Sequence, residues 1–93
     1  MKQAVASVQI DNERVNVTEW KFAPGAETGW HRHQHDYVVV PLNTGTLLLK
    51  SKAGESRSEL VCGQSYFRKA GVEHNVINAS GAEFAFIEIE IKG

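Results

Sequence analysis

Residues 28–40 of the chain read TGWHRHQHDYVVV, with three of the four histidines at alternate positions. Every second side chain of an extended strand points to the same face, so we expect His31 and His33 to lie side by side. Two neighbouring imidazoles on a rigid strand make a natural pair of metal ligands. The fourth histidine, His74, lies far along the chain in the segment GVEHNVIN, residues 71–78. We expect the fold to bring His74 against His31 and His33, so that the three hold one metal ion.

The length and charge of the chain argue against several classes of protein. A chain of 93 residues fits one domain, expected here to span residues 1–93. Its 10 basic and 11 acidic side chains almost cancel, which argues against a nucleic-acid partner. No long apolar run is present to span a membrane, and residues 1–5 lack the apolar core of a signal peptide. Cys62 is the only cysteine and forms no internal disulfide, which favours a cytoplasmic location.

Short alternating segments separated by turn residues predict an all-β fold, and no segment carries the apolar stripe of a helix. The expected strands cover residues 5–10, 15–22, 37–42, 46–51, 56–61, 65–68, 74–78 and 84–91. The apolar positions change parity near residues 19–22, which predicts a β-bulge or a strand that passes between two sheets. Pro41 marks an edge strand or the end of its strand, because proline cannot donate to the ladder.

The last expected strand alternates apolar residues with glutamate. Ile87, Ile89 and Ile91 share one face, whereas Glu88 and Glu90 take the other. Edge strands rich in valine and isoleucine need cover, and a closed two-fold dimer provides it. We therefore expect a homodimer.

Two spaced motifs combine glycine and histidine. The first spans residues 25–45 and reads glycine, five residues, HRH, and later a closing glycine. The second spans residues 63–78 and reads glycine, five residues, KAG, two residues, histidine, three residues, asparagine. Together they resemble the two motifs of the cupin family, in which the first also contains a glutamate and the second has proline where Lys69 stands. The chain is thus similar to small single-domain cupins of the RmlC-like, cupin 2 conserved-barrel type.

This resemblance implies a fold and a site. The fold is the double-stranded β-helix, a jelly-roll barrel of two sheets. The glutamate of the first motif falls on Tyr37 at the shorter spacing and on Val38 at the longer one. The resemblance therefore implies a metal site made by His31, His33 and His74 alone, with water in the open positions. Three imidazoles suit divalent Zn, Fe, Ni or Cu, and the ligand type does not choose among these ions.

The residues after the HRH tripeptide leave alternatives open. His35 is an additional ligand if the alternation continues, and otherwise a surface or supporting residue. Asp36 either accepts an N–H from a ligand histidine or is a turn residue. If Val38 faces the interior, the pocket is lined by Val38, Val40 and Val76, and Tyr37 packs between sheets or subunits. In the other register the Tyr37 phenol is a metal ligand or a general acid. We favour the register with Val38 inside.

The resemblance implies function only in outline, because cupins support many activities. The first hypothesis is a metalloenzyme, of oxygenase or isomerase type, acting on a small organic acid or related metabolite. Its weak catalytic candidates are Tyr37, His35 and Asp36. The second hypothesis is a non-catalytic, metal-dependent module that binds or senses a small molecule, and the third leaves the histidines without metal. Residues 35–42 also resemble small cupins associated with β-alanine breakdown, a similarity that assigns no substrate.

Overall fold

The computed structural model describes residues 2–93 as nine strands, with no helix in that range. The strands are β1 (Val5–Asp11), β2 (Val15–Phe22), β3 (His31–Arg32), β4 (Asp36–Pro41), β5 (Gly45–Ser51), β6 (Gly54–Leu60), β7 (Tyr66–Arg68), β8 (Glu73–Asn78) and β9 (Phe84–Ile91). The described residues thus contain no helix long and apolar enough to cross a membrane. The prediction of an all-β fold is confirmed.

The strands form two antiparallel sheets. The five-stranded sheet has the order β1-β2-β9-β4-β7, and the four-stranded sheet has the order β3-β8-β5-β6. The apolar core includes Phe22 and Phe84 from the larger sheet and Leu47 and Val76 from the smaller one. This is the jelly-roll arrangement that the two motifs implied.

The parity change in β2 does not mark a bulge, so that prediction is wrong. Strand β2 pairs with β9 without interruption from Val15 to Phe22, and the register shift lies instead in β1, between Val8 and Ile10. The change reflects two different environments along one strand. At its end Phe22 packs into the core, whereas at its start the inner face is polar and Val15 and Val17 lie on the outer face.

Strand β4 takes the register opposite to the one favoured from sequence. Tyr37 and Val39 are 3% and 2% exposed and face the interior, so Val38 and Val40 point to the outer face of the sheet. The prediction that Val38 and Val40 line the pocket is wrong, whereas Val76 does line it. Tyr37 to Val40 offers apolar side chains on both faces, so alternation could not decide the register. Pro41 ends β4, which lies inside the sheet between β9 and β7.

Strand β9 turns its glutamates inward. In the register with β4, Val39 is opposite Glu88 and Tyr37 is opposite Glu90, so all four share the inner face. Residues opposite each other across two antiparallel strands point to the same side of the sheet. The outer face of β9 therefore carries the isoleucines, the reverse of an ordinary solvent-facing alternation.

Asn78, the last residue of the second motif, ties three chain segments together. It is 1% exposed, and its Nδ2 donates to the backbone carbonyls of Phe22, Ala23 and Ala82 at 3.2, 3.3 and 2.7 Å. Its Oδ1 accepts from the amide and hydroxyl of Ser80 at 3.0 and 2.6 Å. Its role is structural, because these bonds satisfy both ends of its amide.

We predict that Asn78→Ala lowers the free energy of unfolding by about 2–4 kcal/mol, because it leaves buried backbone groups without partners and opens a cavity. Chemical denaturation measures the effect. Asn12→Ala is the control, since Asn12 also makes two side-chain hydrogen bonds but at an exposed turn. Water replaces those bonds on unfolding and on mutation, so this control should cost less than half as much. Equal losses in the two variants would contradict the role assigned to Asn78.

Candidate metal centre

Three histidine side chains converge at one end of the space between the sheets. His31 lies on β3 and pairs directly with His74 on β8, and His33 follows two residues after His31. The Nε2 atom of His33 lies 3.1 Å from Nε2 of His31 and 3.2 Å from Nε2 of His74. The sequence expectation that these three side chains come together is therefore met by the geometry. One ring nitrogen from each of the three histidines lies within 4.8 Å of the other two.

The loop before β3 fixes the orientation of the His31 ring. Its Nδ1 lies 2.9 Å from the carbonyl oxygen of Gly29 and 3.2 Å from the hydroxyl oxygen of Thr28. Gly29 has φ of +83° and donates its amide to Oδ1 of Asn75 at 3.0 Å, so β8 holds the loop in place. Because a carbonyl can only accept, Nδ1 of His31 carries the proton and Nε2 keeps its lone pair. The ring is thereby fixed in a tautomer that suits metal binding through Nε2.

His33 is the most buried of the three, at 4% exposure. Its backbone amide donates to Val72, and its carbonyl accepts from Gly71, which ties it to the turn before β8. Its ring stacks on Tyr37 with centroids 3.9 Å apart and planes 18° from parallel. Its Nδ1 lies 3.9 Å from a carboxylate oxygen of Glu90, on the side away from the other two imidazoles. Tyr37 therefore packs against a histidine ring, and Glu90 is the carboxylate nearest to its outer nitrogen.

Burial keeps His33 and His74 neutral at physiological pH. Burial first, then the fields of His31 and His74, lowers the pKa of His33 from 6.5 to about 4. Burial first, then His31 and Arg68, lowers the pKa of His74 from 6.5 to about 4. Neutral imidazoles offer lone pairs rather than protons, which is the state that a metal ligand needs.

The separations of the nitrogens fit a single transition-metal ion. Ligand nitrogens 2.0–2.1 Å from a metal lie about 2.9 Å apart in octahedral and about 3.3 Å apart in tetrahedral geometry. The two Nε2 separations, 3.1 and 3.2 Å, fall between these values. Two close neutral imidazoles can share at most one hydrogen bond through their Nε2 atoms. Three converging Nε2 atoms therefore cannot satisfy each other by hydrogen bonding as well as one shared cation would. The donor set therefore fits the implied metal.

Two other predicted residues lie outside this cluster. Oδ1 of Asp36 accepts from the backbone amide of Ala70 at 2.8 Å, so Asp36 joins the start of β4 to the turn after β7. The alternative in which it accepts from a ligand histidine is not the one seen. His35 belongs to neither group of potential ligands in residues 2–93. It follows His33 in the connection to β4, where the extended alternation has ended.

A cavity of about 210 Å³ opens beside the imidazoles. It lies between the sheets and is lined by Trp20, Thr28, His31, His33, Tyr37, Val39, Leu47, Leu49, Ser51, Ser56, Tyr66, Arg68, Val72, His74, Val76, Phe86 and Glu88. The walls are mostly apolar and aromatic, with a few polar groups, as in a small-molecule site. Its size suits a compact molecule.

Sequence reasoning missed Glu88 and Arg68. Burial, reinforced by the nearby carboxylate of Glu90, raises the pKa of Glu88 from 4.5 to about 7. The isoleucine–glutamate alternation was the available signal, but it separates two faces of β9 without saying which face lies inside. Arg68 is the last residue of β7, and nothing in the sequence around it distinguishes it from a surface charge. Only the pairing of β7 with β4 places it at the cavity.

We predict that Glu88→Gln stabilises the metal-free protein at high pH. The folded state raises the pKa of Glu88, so its stabilising contribution is complete below pH 4.5 and is lost as the pH rises through about 7. The variant should therefore match the wild type near pH 4.5 and exceed it at pH 8.5 by about 1–3 kcal/mol in free energy of unfolding. Denaturant titrations at both pH values measure this difference. The exposed control Glu83→Gln should show no such divergence, and an equal offset at both pH values for Glu88→Gln would contradict the assignment.

Comparison with known proteins agrees with the geometry. The family model described as "Cupin domain" matches residues 18–90. A relative from Pseudomonas aeruginosa, named beta-alanine degradation protein BauB, is 69% identical over 90 residues, which cover 97% of this chain and 95% of the relative.

Solved structures give the same picture. The crystal structure of a cupin domain from Bordetella pertussis Tohama I is 63% identical, with a TM-score of 0.97, and covers 99% of this chain and 96% of that chain. The polyketide cyclase RemF from Streptomyces resistomycificus is 20% identical, with a TM-score of 0.77, and covers 99% of this chain and 67% of that chain. That second similarity shows the fold alone. With the match to the family model and these closely similar relatives, the chain belongs to the cupin family.

Proposed function

We propose that the protein is a metal-dependent enzyme that binds one divalent transition metal through His31, His33 and His74 and acts on a small organic acid or related metabolite. The observation that carries this proposal is the convergence of three imidazole Nε2 atoms at the wall of a largely apolar cavity. A bound ion would supply Lewis-acid or oxygen-dependent chemistry, of the isomerase or oxygenase type. Zn, Fe, Ni and Cu all suit three imidazoles.

The residues around the cavity support binding of a small acid. The three ligands carry no charge, so a divalent ion would keep its full positive charge and attract an anion. Apolar side chains such as Val39, Leu49 and Phe86 exclude water and strengthen every charge interaction inside. The relative from Pseudomonas aeruginosa is named for beta-alanine degradation, and this name supports a small metabolite as the substrate.

Of the three catalytic candidates from the sequence, only Tyr37 is among the described residues that line the cavity. Its ring lies at the cavity wall, and its pKa is raised by burial first and then by Glu88, so the phenol stays protonated. A protonated phenol beside the ligand cluster donates a hydrogen bond or a proton. Neither His35 nor Asp36 lines the cavity.

The second candidate function is a non-catalytic module that binds or senses a small molecule through the metal. The observation that favours it is Tyr37, which occupies the shorter-spacing position of the family glutamate without supplying a carboxylate. The two candidates differ in turnover. Loss of His74 should abolish metal, ligand binding and a reaction in the enzyme, but only metal and ligand binding in the module.

We predict about one equivalent of a transition metal per chain in protein purified without a histidine tag or chelator. His74→Ala should weaken metal affinity by more than the roughly 10–100-fold that loss of an outer hydrogen-bonding partner causes, because it removes a ligand. Elemental mass spectrometry and competition with a chelator measure content and affinity.

His35→Ala is the matched control, since His35 is a histidine of the same segment that lies outside the cluster. It should keep the metal content of the wild type. Full metal content in the variant with His31, His33 and His74 all replaced by alanine would refute the site. The identity of the metal then directs the assays, with iron pointing to oxygen chemistry and zinc or nickel to isomerisation or binding.

We further propose that the outer face of the larger sheet pairs with a second copy. Paired residues on β2, β9 and β4 give this face an apolar centre consisting of Val17, Val38, Val40, Ile87 and Ile89. Glu19 and Lys21 lie on the same face of β2, so two-fold-related copies can place opposite charges together beside the apolar centre.

The exposed lone thiol of Cys62 supports a reducing, cytoplasmic location for the protein.

We predict that Ile89→Lys converts a dimer into a monomer without loss of bound metal, because the new charge lies on the face opposite the cavity. Sedimentation equilibrium gives the mass, and elemental analysis gives the metal content. Glu83→Lys adds a charge at an exposed loop outside this face and should leave the dimer intact. A monomeric wild-type protein at micromolar concentration would overturn the proposed dimer.

A further inference from the structure

The cavity wall carries one pair of opposite formal charges. Among the lining residues in the described part of the chain, Arg68 is the only arginine or lysine and Glu88 the only carboxylate. They belong to the same inner face of the larger sheet, on β7 and β9, with β4 between them. Adjacent strands lie 4.7–4.9 Å apart, so the two backbones are separated by roughly 10 Å across the sheet. Both side chains therefore reach the cavity from the same sheet, from strands that lie on either side of β4.

The Arg68 guanidinium lies at the cavity with donors to spare. It sits over the Tyr66 ring, 4.5 Å from the centroid, and its Nη1 donates to the carbonyl of Phe67 at 3.0 Å. Within residues 2–93, no carboxylate lies within 4.0 Å of its nitrogens. A guanidinium has five N–H donors in a planar fork that matches a carboxylate. Arg68 and the three histidines line the same cavity.

Glu88 faces the cavity without a protein partner. In the described residues its carboxyl group makes no hydrogen bond, yet no buried side-chain atom is left unsatisfied, so its oxygens reach the cavity. One of its oxygens lies within 4.8 Å of a ring nitrogen of His33. Tyr37 lies on β4, between the strands that carry these two side chains, and is directly opposite Arg68. A half-buried carboxylate with free acceptors suits a ligand that brings a hydrogen-bond donor.

We propose that the cavity binds a short-chain carboxylic acid with an amino or hydroxyl group at its far end, the carboxylate on Arg68 and the donor group on Glu88. This inference rests on the proposed function, because it names the substrate class of the same site. The cavity of about 210 Å³ limits the ligand to a few carbon atoms. An acid without the donor leaves the Glu88 carboxylate desolvated and unpaired, so the pocket discriminates against it.

Isothermal titration calorimetry tests this inference with four probes of equal chain length: 3-aminopropanoate, 3-hydroxypropanoate, propanoate and propylamine. Each is titrated into zinc-loaded and metal-free protein, and the metal content of every sample is measured. The two acids with a donor group should bind about tenfold or more tightly than propanoate and propylamine. The use of both protein forms separates binding by Arg68 and Glu88 from binding by the metal.

Arg68→Gln should weaken binding of all three carboxylates about tenfold or more, and Arg68→Lys should restore part of the loss. Glu88→Gln should instead remove the preference for 3-aminopropanoate over propanoate. Arg57→Gln and Glu83→Gln alter charges of the same kind away from the cavity and should bind as the wild type does. The inference is overturned if none of the acids binds, if Arg68→Gln binds them as tightly as the wild type, or if propanoate equals the substituted acids. Metal-free protein that accepts no zinc would refute the proposed function separately.

Discussion

The antiparallel pairing of β3 with β8 is the contact on which the site depends. It sets His31 directly opposite His74, and the alternation of the short strand adds His33 to the same side. His33 and His74 stay neutral, because a proton on either ring would be desolvated and would lie close to other imidazoles. The neighbouring groups suit that neutral state. A carbonyl holds the proton of His31 on Nδ1, and the Tyr37 ring covers His33 without competing for Nε2.

The inner face of the larger sheet changes character along its length. At one end Phe22, Phe84 and Phe86 make a dry aromatic core. At the other end the same face carries Glu88, Glu90 and Tyr37 and opens into the cavity. On the outer face of that end the sheet carries valines and isoleucines. The polar side chains there point inward and the apolar ones outward, the opposite of the usual arrangement. Such an inversion is unfavourable for folding, because it buries carboxyl groups inside and leaves apolar side chains on the outer face.

The sequence predicted the strands well and the site in part, for physical reasons that differ by element. The strand order along the chain followed from turn residues and alternation, and β9 was predicted with the bounds that it has. The cluster of His31, His33 and His74 followed from motif spacing. The register of β4 did not, because the run from Tyr37 to Val40 is apolar on both faces. Glu88 was missed because a period of two identifies a face but not which face is inside.

The loss of the family glutamate has an electrostatic consequence for the whole cavity. Tyr37 faces the interior, at the position where the shorter spacing would place the carboxylate ligand, yet its ring lies on His33 and brings no charge. The carboxylates on the same face come instead from β9, and Glu90 approaches His33 at Nδ1, behind the atom that faces the cluster. A cation on three neutral ligands would thus have its charge compensated from outside the ligand set. Glu88, 4.8 Å or less from a His33 nitrogen, and an anionic ligand held by Arg68 are the two groups that can supply this compensation. If the proposed metal and acid bind here, the charge of the acid would complete the electrostatics of the site, which would link affinity for an acid to the absence of the usual carboxylate ligand.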